Sequence, residues 1–499
     1  MSSMARWKIS RNSFFHLMRH ERRNQSTFPS DFIGFLSHSL PSLHISTNSY
    51  DLQTHGKGES HHPHANPYAV VFPFSEQDIM QVVKICSEYS VPIIPYGAGT
   101  SVEGHVNAIH GGISMNMKHF NLIQVHECDG NITDPIAKVG AGVTRKRLNY
   151  ELRHTGMHFV VDPGADATIG GMAACGSSGT TAVKYGTMKD NVLGLEFILP
   201  DGTFVKSGTN SLKNSAGYDL TSLMVGSEGT LGIITSVSVK LHPIPENIVN
   251  AICVFNDLFS AAEAVVHMKQ CGIQMSRCEL LDQISMSAYN KYNDSAKQQG
   301  LIEMEEKPTL FLEFDGLALN AVLEHVNVAR KICIEDFKAS DFRFTSEEKE
   351  RHSIWAARHQ LYYAAIRYRQ GATSAIVTDA CVPLSKFAIL MAETAEDVKK
   401  YDVIGPCFGH AGDGNFHCIL PLRDDDPEEY ISRLHTINNN LILRTLEFGG
   451  TCTGEHGVGY GKIKYLPQQY GNGCMNMMKT IKKSLDPRNI MNPGKVLEF

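Results

Sequence analysis

Two short segments carry the residues best suited to chemistry. The first, Gly409–His417, places two imidazoles on either side of a Gly-Asp-Gly-Asn turn, and the second, Thr453–Gly457, puts a carboxylate beside another imidazole. Glycine and asparagine tolerate positive φ, so the first segment predicts a tight hairpin that brings His410 and His417 together. Two histidines and one glutamate form the three-ligand set of a catalytic metal site with an open position.

In this hypothesis Glu455 is the third metal ligand, and His456 remains free to act as a general base. For each histidine considered alone, an ordinary polar residue in a loop is as good an interpretation as a role in chemistry. The two segments taken together favour the metal-site hypothesis over that alternative.

The composition is typical of a folded globular protein and excludes some functions. The chain has 499 residues, 42% hydrophobic and 20% charged, with a formal net charge of −6, and its length predicts two or three domains. Without a basic surplus, nucleic-acid binding has no electrostatic support. No apolar run approaches the length of a transmembrane segment.

The 12 cysteines are scattered, and no two are spaced Cys-x-x-Cys. This pattern is typical of reduced thiols in a non-secretory compartment. It also excludes a Cys-x-x-Cys-His attachment site for haem, so any one-electron acceptor is expected to be a separate protein.

The first 30 residues differ from the rest of the chain, because they carry six basic residues and Glu21 as the only acid. Serine and phenylalanine are interspersed, and the apolar core of a secretory signal is missing. This composition resembles a mitochondrial transit peptide, the alternative being a disordered basic terminus. The hypothesis predicts a mitochondrial protein whose residues 1–60 are transit peptide and N-terminal extension.

A β-α-β unit is predicted at the start of the ordered chain. Residues 50–66 are polar and predict a loop, with order beginning near Tyr68. A short strand, an amphipathic helix that begins with a capping box at Ser75 and a strand over 91–94 follow. The unit leads into the glycine-rich segment 95–101, whose backbone N–H groups and hydroxyls suit an anion, although it matches neither a dinucleotide fingerprint nor a Walker loop.

A second glycine-rich stretch, 162–186, is dominated by small residues and contains few charges. It predicts backbone pressed against a flat, extended ligand, the alternative being a buried turn region. A β-hairpin is predicted over 195–205. The composition shifts near 243–246, after which charged helices alternate with strands, and a helical stretch covers 427–447. These features predict a second, α+β domain.

Eight segments, in their order, resemble the FAD-linked oxidases of the vanillyl-alcohol oxidase type, and they cover roughly residues 65–499. They are PYGAGTS at 95–101, EGHVNAIHGGIS at 103–114, DPGADATIGGMAACGSSGT at 162–180, YGTMKDNV at 185–192, GSEGTLGIIT at 226–235, GHAGDGNFHC at 409–418, GTCTGEHGVG at 450–459 and LDPRNIMNPGK at 485–495. Each segment alone is moderately specific, whereas their joint order is highly specific.

The resemblance implies an α+β fold with a two-lobed PCMH-type FAD-binding domain over 61–245. A substrate or cap domain, built on an antiparallel sheet with helices, is implied over 246–460. A C-terminal segment, 461–499, is implied to return to the FAD-binding domain.

The activity implied by the resemblance is oxidation of D-lactate, or a similar small D-2-hydroxy acid, to the 2-oxo acid. FAD is implied as the cofactor, bound non-covalently because no histidine in the FAD loops matches an attachment site. A divalent metal, zinc or manganese, is implied at His410, His417 and Glu455. His456 is implied to abstract the substrate hydroxyl proton, and Arg358 to grip the substrate carboxylate. The implied electron acceptor is an external protein, cytochrome c or an electron-transfer flavoprotein.

The FAD contacts implied by the resemblance lie in the glycine-rich segments and in the tail. They are Pro95, Gly97, Ala98, Gly99, Thr100, Ser101, Pro163, Gly164, Ala165, Asp166, Ile169, Gly170, Gly171, Cys175, Gly176, Ser178, Gly179, Tyr185, Gly186, Glu228, Gly229, Gly232, Ile233 and Asn492. Residues 175–177 depart from the family pattern, which usually has a bulkier polar or charged residue in this loop.

Two other functions remain open. The first is a dehydrogenase of D-2-hydroxyglutarate or glycolate from the same family. Relatives that act on the diacid carry asparagine two positions after the residue matching His417, where this chain has Ile419, which leaves a second carboxylate without a donor. The second is a non-catalytic zinc-stabilised binding protein, which needs a closed four-ligand site, and no spare cysteine or histidine adjoins these motifs at suitable spacing.

Overall fold

The computed structural model describes residues 31–128, 131–293 and 304–499. The predicted transit peptide falls on residues 1–30 and so lies outside the described residues. The helices are α1 Phe32–Ser39, α2 Ser49–His55, α3 Glu76–Tyr89, α4 Arg145–Leu152, α5 Ile169–Cys175, α6 Ala182–Tyr185, α7 Met188–Asn191, α8 Leu220–Met224, α9 Leu258–Gln270, α10 Gln283–Asn293, α11 Leu319–Lys331, α12 Glu348–Tyr368, α13 Leu384–Lys400, α14 Glu428–Glu447 and α15 Leu466–Leu485.

The strands are β1 His44–Ser46, β2 Ala69–Phe72, β3 Ile93–Tyr96, β4 Ile113–Asn116, β5 Ile123–Cys128, β6 Asn131–Gly140, β7 Met157–His158, β8 Val192–Ile198, β9 Phe204–Gly208, β10 Ile233–Lys240, β11 His242–Pro243, β12 Asn247–Val254, β13 Arg277–Leu281, β14 Thr309–Gly316, β15 Asp341–Thr345, β16 Ser374–Val377, β17 Ala380–Cys381, β18 Cys407–His410 and β19 Asn415–Leu422.

The first lobe is a small sheet with strand order β1-β2-β4-β3, in which β2, β4 and β3 run parallel. Helix α3 connects β2 to β3, and it begins with the predicted capping box between Ser75 and Asp78. The apolar side chains of α3 at helical spacing are buried against the sheet, among them Ile79, Val82 and Val83. The predicted β-α-β unit is therefore confirmed.

Order begins well before Tyr68, so that expectation is wrong. Helix α1 buries Phe32 and Leu36, and β1 pairs antiparallel with β2. Helix α2 covers part of the expected loop 50–66, and the side chain of Asn48 caps it by accepting from Asp51 N. A capped short helix in polar sequence has no apolar periodicity, which is why hydrophobic pattern did not predict it.

The second lobe is an antiparallel sheet with strand order β5-β6-β10-β8-β9. Strands β8 and β9 pair from Ile198↔Phe204 to Gly194↔Gly208, as the predicted hairpin requires. The two lobes share one hydrophobic core, to which α5 contributes Ile169. The glycine-rich stretch 162–186 thus lies against this lobe as loops and short helices.

The remaining large sheet is antiparallel with strand order β15-β12-β14-β13-β18-β19-β16, and β17 also pairs with β19. Helices α9, α11, α13 and α14 cover one face. Helices α10 and α12 cover the other face. The predicted α+β domain is confirmed, and its sheet places β13, β18 and β19 side by side.

The C-terminal tail returns to the first lobe, as the resemblance implies. Ile93 N donates to Ile490 O at 2.7 Å, and Asn492 N donates to Ile93 O at 2.8 Å. The buried ammonium of Lys482 donates to Thr230 O at 2.8 Å and to Met491 O at 2.9 Å. These contacts fasten the last residues to the lobe that carries the first glycine-rich loop.

Within the described ranges, no helix combines the length and apolarity needed to cross a membrane. The cysteines whose side chains the structure describes are all free thiols.

Candidate active site

The predicted hairpin is formed by β18 and β19. Its turn is a 3-10 segment, Ala411–Asp413, followed by Gly414 at φ 76°, a conformation that glycine adopts without strain. The hairpin places the imidazoles of His410 and His417 with ring centroids 5.8 Å apart. Local turn chemistry therefore brings the two histidines together, as the sequence predicts.

Glu455 completes a cluster of three metal-ligating side chains. Its Oε1 lies 3.3 Å from His410 Nε2 and 3.0 Å from His417 Nε2. One ligand atom from each residue falls within 4.8 Å of the others, and all three side chains are largely buried. Ser178 Oγ donates to Glu455 Oε2 at 2.8 Å, so the carboxylate is also fixed by the FAD-binding domain. Two imidazole nitrogens and one carboxylate oxygen fit a divalent metal such as zinc.

The Nδ1 atom of each imidazole, on the side of the ring away from Glu455, also has a hydrogen-bond partner. His417 Nδ1 lies 2.9 Å from Thr378 O, an acceptor only, so Nδ1 carries the proton and donates. His410 Nδ1 lies 2.6 Å from Glu279 Oε1. Both arrangements leave the Nε2 lone pairs directed at the position that Glu455 shares, which is the orientation a metal ligand requires.

Glu279 is a buried carboxylate that the sequence analysis missed. Its two oxygens contact different partners, because Oε1 contacts His410 and Oε2 accepts from Arg358 Nε at 2.6 Å. Burial alone raises the pKa of Glu279, but the positive charges of Arg358 and His410 outweigh it and lower that pKa to about 2. An acidic residue inside the apolar strand Arg277–Leu281 was the available sequence signal.

His456 lies face to face with His417, with ring centroids 4.8 Å apart and an interplanar angle of 9°. Its Nε2 is 4.0 Å from Glu455 Oε1, next to the three-ligand cluster. Its Nδ1 is buried and receives no hydrogen bond from the described chain. Burial lowers the pKa of His456 to about 4, with Asp379 opposing that shift and His417 adding to it. A neutral imidazole in this position can accept a proton.

Asp379 shapes the loop that carries Glu455 and His456. Its Oδ2 accepts from the backbone N–H groups of residues 454, 455 and 456 at 2.8, 3.0 and 3.0 Å, and from Thr453 Oγ1 at 2.7 Å. The ammonium of Lys462 lies 3.5 Å away, and it also lies 3.4 Å from Glu103. Burial alone raises the pKa of Asp379, but the positive charge of Lys462 and the neighbouring His456 outweigh it and hold that pKa well below its usual value, so the group is a carboxylate.

Asp379 also lies near enough to His417 and His456 to form a second set of three possible metal ligands. The set that contains Glu455 fits a metal better, because Asp379 Oδ2 already accepts from the loop donors and Asp379 Oδ1 accepts from Asn415 Nδ2 at 2.9 Å. Asp379 was not among the residues predicted from the sequence, although a charged residue between the apolar runs 375–377 and 380–382 was a usable signal.

Asp379→Asn is expected to lower the free energy of unfolding by about 3 kcal/mol, since it removes a buried charge that pairs with Lys462 and receives the loop N–H groups. Urea denaturation measures this change. The matched control is Asp134→Asn, at a carboxylate whose side chain is 58% exposed, and it should shift the transition little. Equal destabilisation by both variants would contradict the role assigned to Asp379.

Arg358 is contributed by α12 and is largely buried. Its Nε is held by Glu279, and its guanidinium carbon lies 4.7 Å from the ring centroid of Phe408. In the described part of the chain, no hydrogen bond occupies its Nη atoms. The guanidinium is therefore fixed in plane with its outer donors available.

A single cavity of about 730 Å³ joins these groups to the glycine-rich loops. One side is formed by the loops of the FAD-binding lobes. The other is formed by Arg358, the three-ligand cluster and His456. The implied FAD residues that line it are Pro95, Gly97, Ala98, Gly99, Thr100, Ser101, Pro163, Gly164, Ala165, Asp166, Gly170, Gly171, Cys175, Ser178, Gly179, Glu228, Gly229, Gly232 and Asn492.

Five implied FAD residues do not line this cavity. Ile169 and Ile233 are buried in the core of the lobes. Tyr185 packs against His242 with ring centroids 4.9 Å apart. The remaining two, Gly176 and Gly186, end α5 and α6 at positive φ.

The lining fits a flat, polar cofactor. Ser101 Oγ is buried and has no hydrogen-bond partner in the described chain, so it can donate to a ligand. A Cβ at Gly164 would meet no atom within 4 Å, so a side chain there would project into free space along the cavity wall. A Cβ at Gly97 would lie 2.3 Å from Thr168 Oγ1, which shows how closely the two glycine-rich segments approach.

Residues 67–208 match the family model described as FAD binding domain, and residues 244–496 match FAD linked oxidases, C-terminal domain. The chain is 43% identical over 459 residues to a protein of Danio rerio named probable D-lactate dehydrogenase, mitochondrial, covering 91% of this chain and 89% of that one. It is 40% identical to a mitochondrial D-lactate dehydrogenase [cytochrome] of Arabidopsis thaliana, covering 90% and 77%.

Solved structures agree with the architecture. A p-cresol methylhydroxylase superposes with a TM-score of 0.74 at 17% identity, covering 95% of this chain and 99% of that one. An alkyldihydroxyacetonephosphate synthase gives 0.70 at 20% identity, covering 94% and 86%. These likenesses concern the fold, a PCMH-type FAD-binding domain with a second α+β domain. Together with the sequence matches along most of its length, they show that the chain belongs to the family of FAD-linked oxidases.

Proposed function

We propose that this protein is an FAD-dependent dehydrogenase that oxidises D-lactate to its 2-oxo acid. The observation that carries the proposal is the shared cavity, which joins the FAD-binding loops to Arg358, His456 and the three-ligand cluster. Relatives that are 35–43% identical over about 90% of the chain are named D-lactate dehydrogenases, which supports the same substrate here.

The roles of the side chains follow from their positions. The outer donors of Arg358 bind the substrate carboxylate in a bidentate pair. His456 accepts the hydroxyl proton at Nε2, the nitrogen that faces the three-ligand cluster. When bound, FAD supplies the hydride acceptor, and a divalent metal, zinc or manganese, held by His410, His417 and Glu455 supplies the charge that lowers the hydroxyl pKa.

The same proposal assigns a task to each part of the chain. Residues 61–245 hold FAD non-covalently, residues 246–460 hold substrate and metal, and residues 461–499 pack on the FAD-binding domain. The electrons leave to an external protein, cytochrome c or an electron-transfer flavoprotein. Mitochondrial relatives support a mitochondrial location, with residues 1–60 as transit peptide and extension.

The substrate tail would meet an apolar wall. Ile419 is 1% exposed and lies opposite Val377 in the β16–β19 pairing, and both side chains line the cavity with Phe408. A methyl group suits this wall, whereas a second carboxylate would be buried without a donor. These contacts favour D-lactate over the diacid D-2-hydroxyglutarate.

We expect kcat/KM for D-lactate to exceed that for D-2-hydroxyglutarate by at least about tenfold. Ile419→Asn should narrow this ratio by supplying a donor, and Ile419→Leu, the apolar control at the same position, should leave it unchanged. The measurement is steady-state kinetics of the three proteins with both acids. A native enzyme that prefers D-2-hydroxyglutarate would overturn the assignment of D-lactate.

Glycolate is the second candidate substrate. A relative of Bacillus subtilis that is 34% identical is named glycolate oxidase subunit GlcD. Glycolate lacks only the methyl group, and an apolar pocket discriminates by about 1–3 kcal/mol for one such group. The same kinetic panel therefore includes glycolate, and a higher kcat/KM for glycolate than for D-lactate would favour that alternative.

A further inference from the structure

Glu279 stands between the two parts of the site that handle substrate. It lies in the middle of β13, directly opposite His410 in the antiparallel pairing with β18. Its side chain is 0% exposed. Each oxygen has one partner: Oε1 is 2.6 Å from His410 Nδ1, and Oε2 is 2.6 Å from Arg358 Nε.

These two partners belong to different tasks in the proposed function, because His410 is a metal ligand and Arg358 binds the substrate carboxylate. They come from different elements, β18 and α12, and among the residues that the structure describes only Glu279 is hydrogen-bonded to both. A carboxylate has two separate acceptor oxygens and no donor, so it can serve two N–H donors that approach from different sides.

We infer that Glu279 is a positioning residue that couples the metal site to the substrate arginine. Through Oε1 it keeps the proton of His410 on Nδ1, so the Nε2 lone pair faces the metal position. Through Oε2 it fixes the plane of the Arg358 guanidinium and directs the Nη donors away from the sheet. The distance between the metal ligand His410 and the substrate-binding Arg358 is then set by one carboxylate in the centre of a strand. This inference rests on the proposed function.

Glu279→Gln keeps the size of the side chain and separates these tasks. The amide has one acceptor oxygen, and its nitrogen can only donate. If the oxygen serves Arg358, the amide nitrogen donates to His410 Nδ1 and moves the histidine proton to Nε2, the tautomer that cannot bind a metal there. If the oxygen serves His410, Arg358 loses its anchor.

Glu313→Gln is the matched control. Glu313 is also a buried carboxylate in this sheet, on the neighbouring strand β14, and its Oε2 pairs with Arg277 at 3.1 Å. It contacts neither His410 nor Arg358. A loss of stability from neutralising a buried acid is therefore common to both variants, whereas a change in metal or substrate binding is specific to Glu279.

The test titrates metal-free FAD-loaded protein with Mn²⁺ and follows free Mn²⁺ by its electron paramagnetic resonance signal. Glu279→Gln is expected to raise the Mn²⁺ Kd about 10–100-fold, the usual effect of losing such a partner of a ligand histidine, and to raise KM for D-lactate. Glu313→Gln should change neither quantity. An unchanged Mn²⁺ Kd in Glu279→Gln, or an equal rise in Glu313→Gln, overturns the inference.

If Glu279→Gln does not fold, Glu279→Asp takes its place, because it keeps the charge but is one methylene too short to reach both partners. It is expected to weaken Mn²⁺ binding or D-lactate binding, and native values for both would overturn the inference. Measurements on the native protein distinguish failure of this inference from failure of the proposed function. If the native protein neither binds Mn²⁺ nor oxidises D-lactate, the proposed function fails before any variant is compared.

Discussion

His456→Ala is expected to lower the rate of flavin reduction by D-lactate about 10²–10⁴-fold, the usual contribution of a general base. The imidazole lies beside the three-ligand cluster without belonging to it, so the variant should retain FAD and metal. Stopped-flow measurement of flavin absorbance after anaerobic mixing gives the rate. Metal content and the flavin spectrum of the same sample show whether both groups remain bound.

The matched control for this variant is His435→Ala. His435 is an exposed histidine of α14 that does not line the cavity, and its ring centroid lies 6.2 Å from that of His61. Its removal should leave the rate of flavin reduction near that of the native protein. Reduction at the native rate by His456→Ala would show that another group accepts the hydroxyl proton.

Removal of the metal is expected to abolish turnover of D-lactate while FAD remains bound. The double variant His410→Ala, His417→Ala should reproduce the effect of EDTA, because both imidazoles direct Nε2 at the shared ligand position. The glycine-rich loops proposed to hold FAD line the other side of the cavity, so the flavin spectrum should be retained. Steady-state turnover before and after chelation, with flavin absorbance recorded in parallel, measures both effects.

Two additions make this experiment decisive. Zn²⁺ or Mn²⁺ added back to the chelated native protein should restore turnover, and neither should restore it in the double variant. His267→Ala, at a histidine of α9 that packs against Phe337 away from the cavity, is the control for the loss of an imidazole. Full turnover by metal-free native protein would show that the three-ligand cluster does not take part in the reaction.

Features specified by neighbouring residues were predictable from the sequence. The hairpin that joins His410 to His417 depends on the intervening Gly-Asp-Gly-Asn turn, and the helix starting after Ser75 depends on its capping box and apolar spacing. The order of the glycine-rich segments was enough to imply the fold. For the hairpin and the helix, the sequence signal lies within a few residues of the feature it determines.

Features that depend on distant partners were not predictable in the same way. Glu279 lies 131 residues from His410 and 79 residues from Arg358 along the chain. Asp379 reaches the loop of His456 from 77 residues away. Only the order of strands in the large sheet brings these groups together, so the buried carboxylates behind the site were missed.

The implied cofactor residues differ among themselves, because a segment that lines the cavity also includes residues whose side chains point elsewhere. Ile169 begins a helix whose glycines line the cavity, yet its own side chain is buried in the lobe core. Tyr185 lies near the end of the second glycine-rich stretch but packs on His242. A motif predicts which backbone segment approaches a ligand, whereas the direction of each side chain depends on the packing around it.

The most direct test of the proposed function is anaerobic mixing of the native, metal-loaded protein with D-lactate, L-lactate, glycolate and D-2-hydroxyglutarate, following the flavin absorbance bands. Reduction should be fastest with D-lactate. It should be slowest with L-lactate, whose hydroxyl lies on the wrong side of the α-carbon, and with D-2-hydroxyglutarate, which brings a second carboxylate to Ile419. Bleaching of the flavin by D-lactate ahead of the other three acids is the predicted result. A flavin that stays oxidised with D-lactate, or that is reduced faster by D-2-hydroxyglutarate, would contradict it.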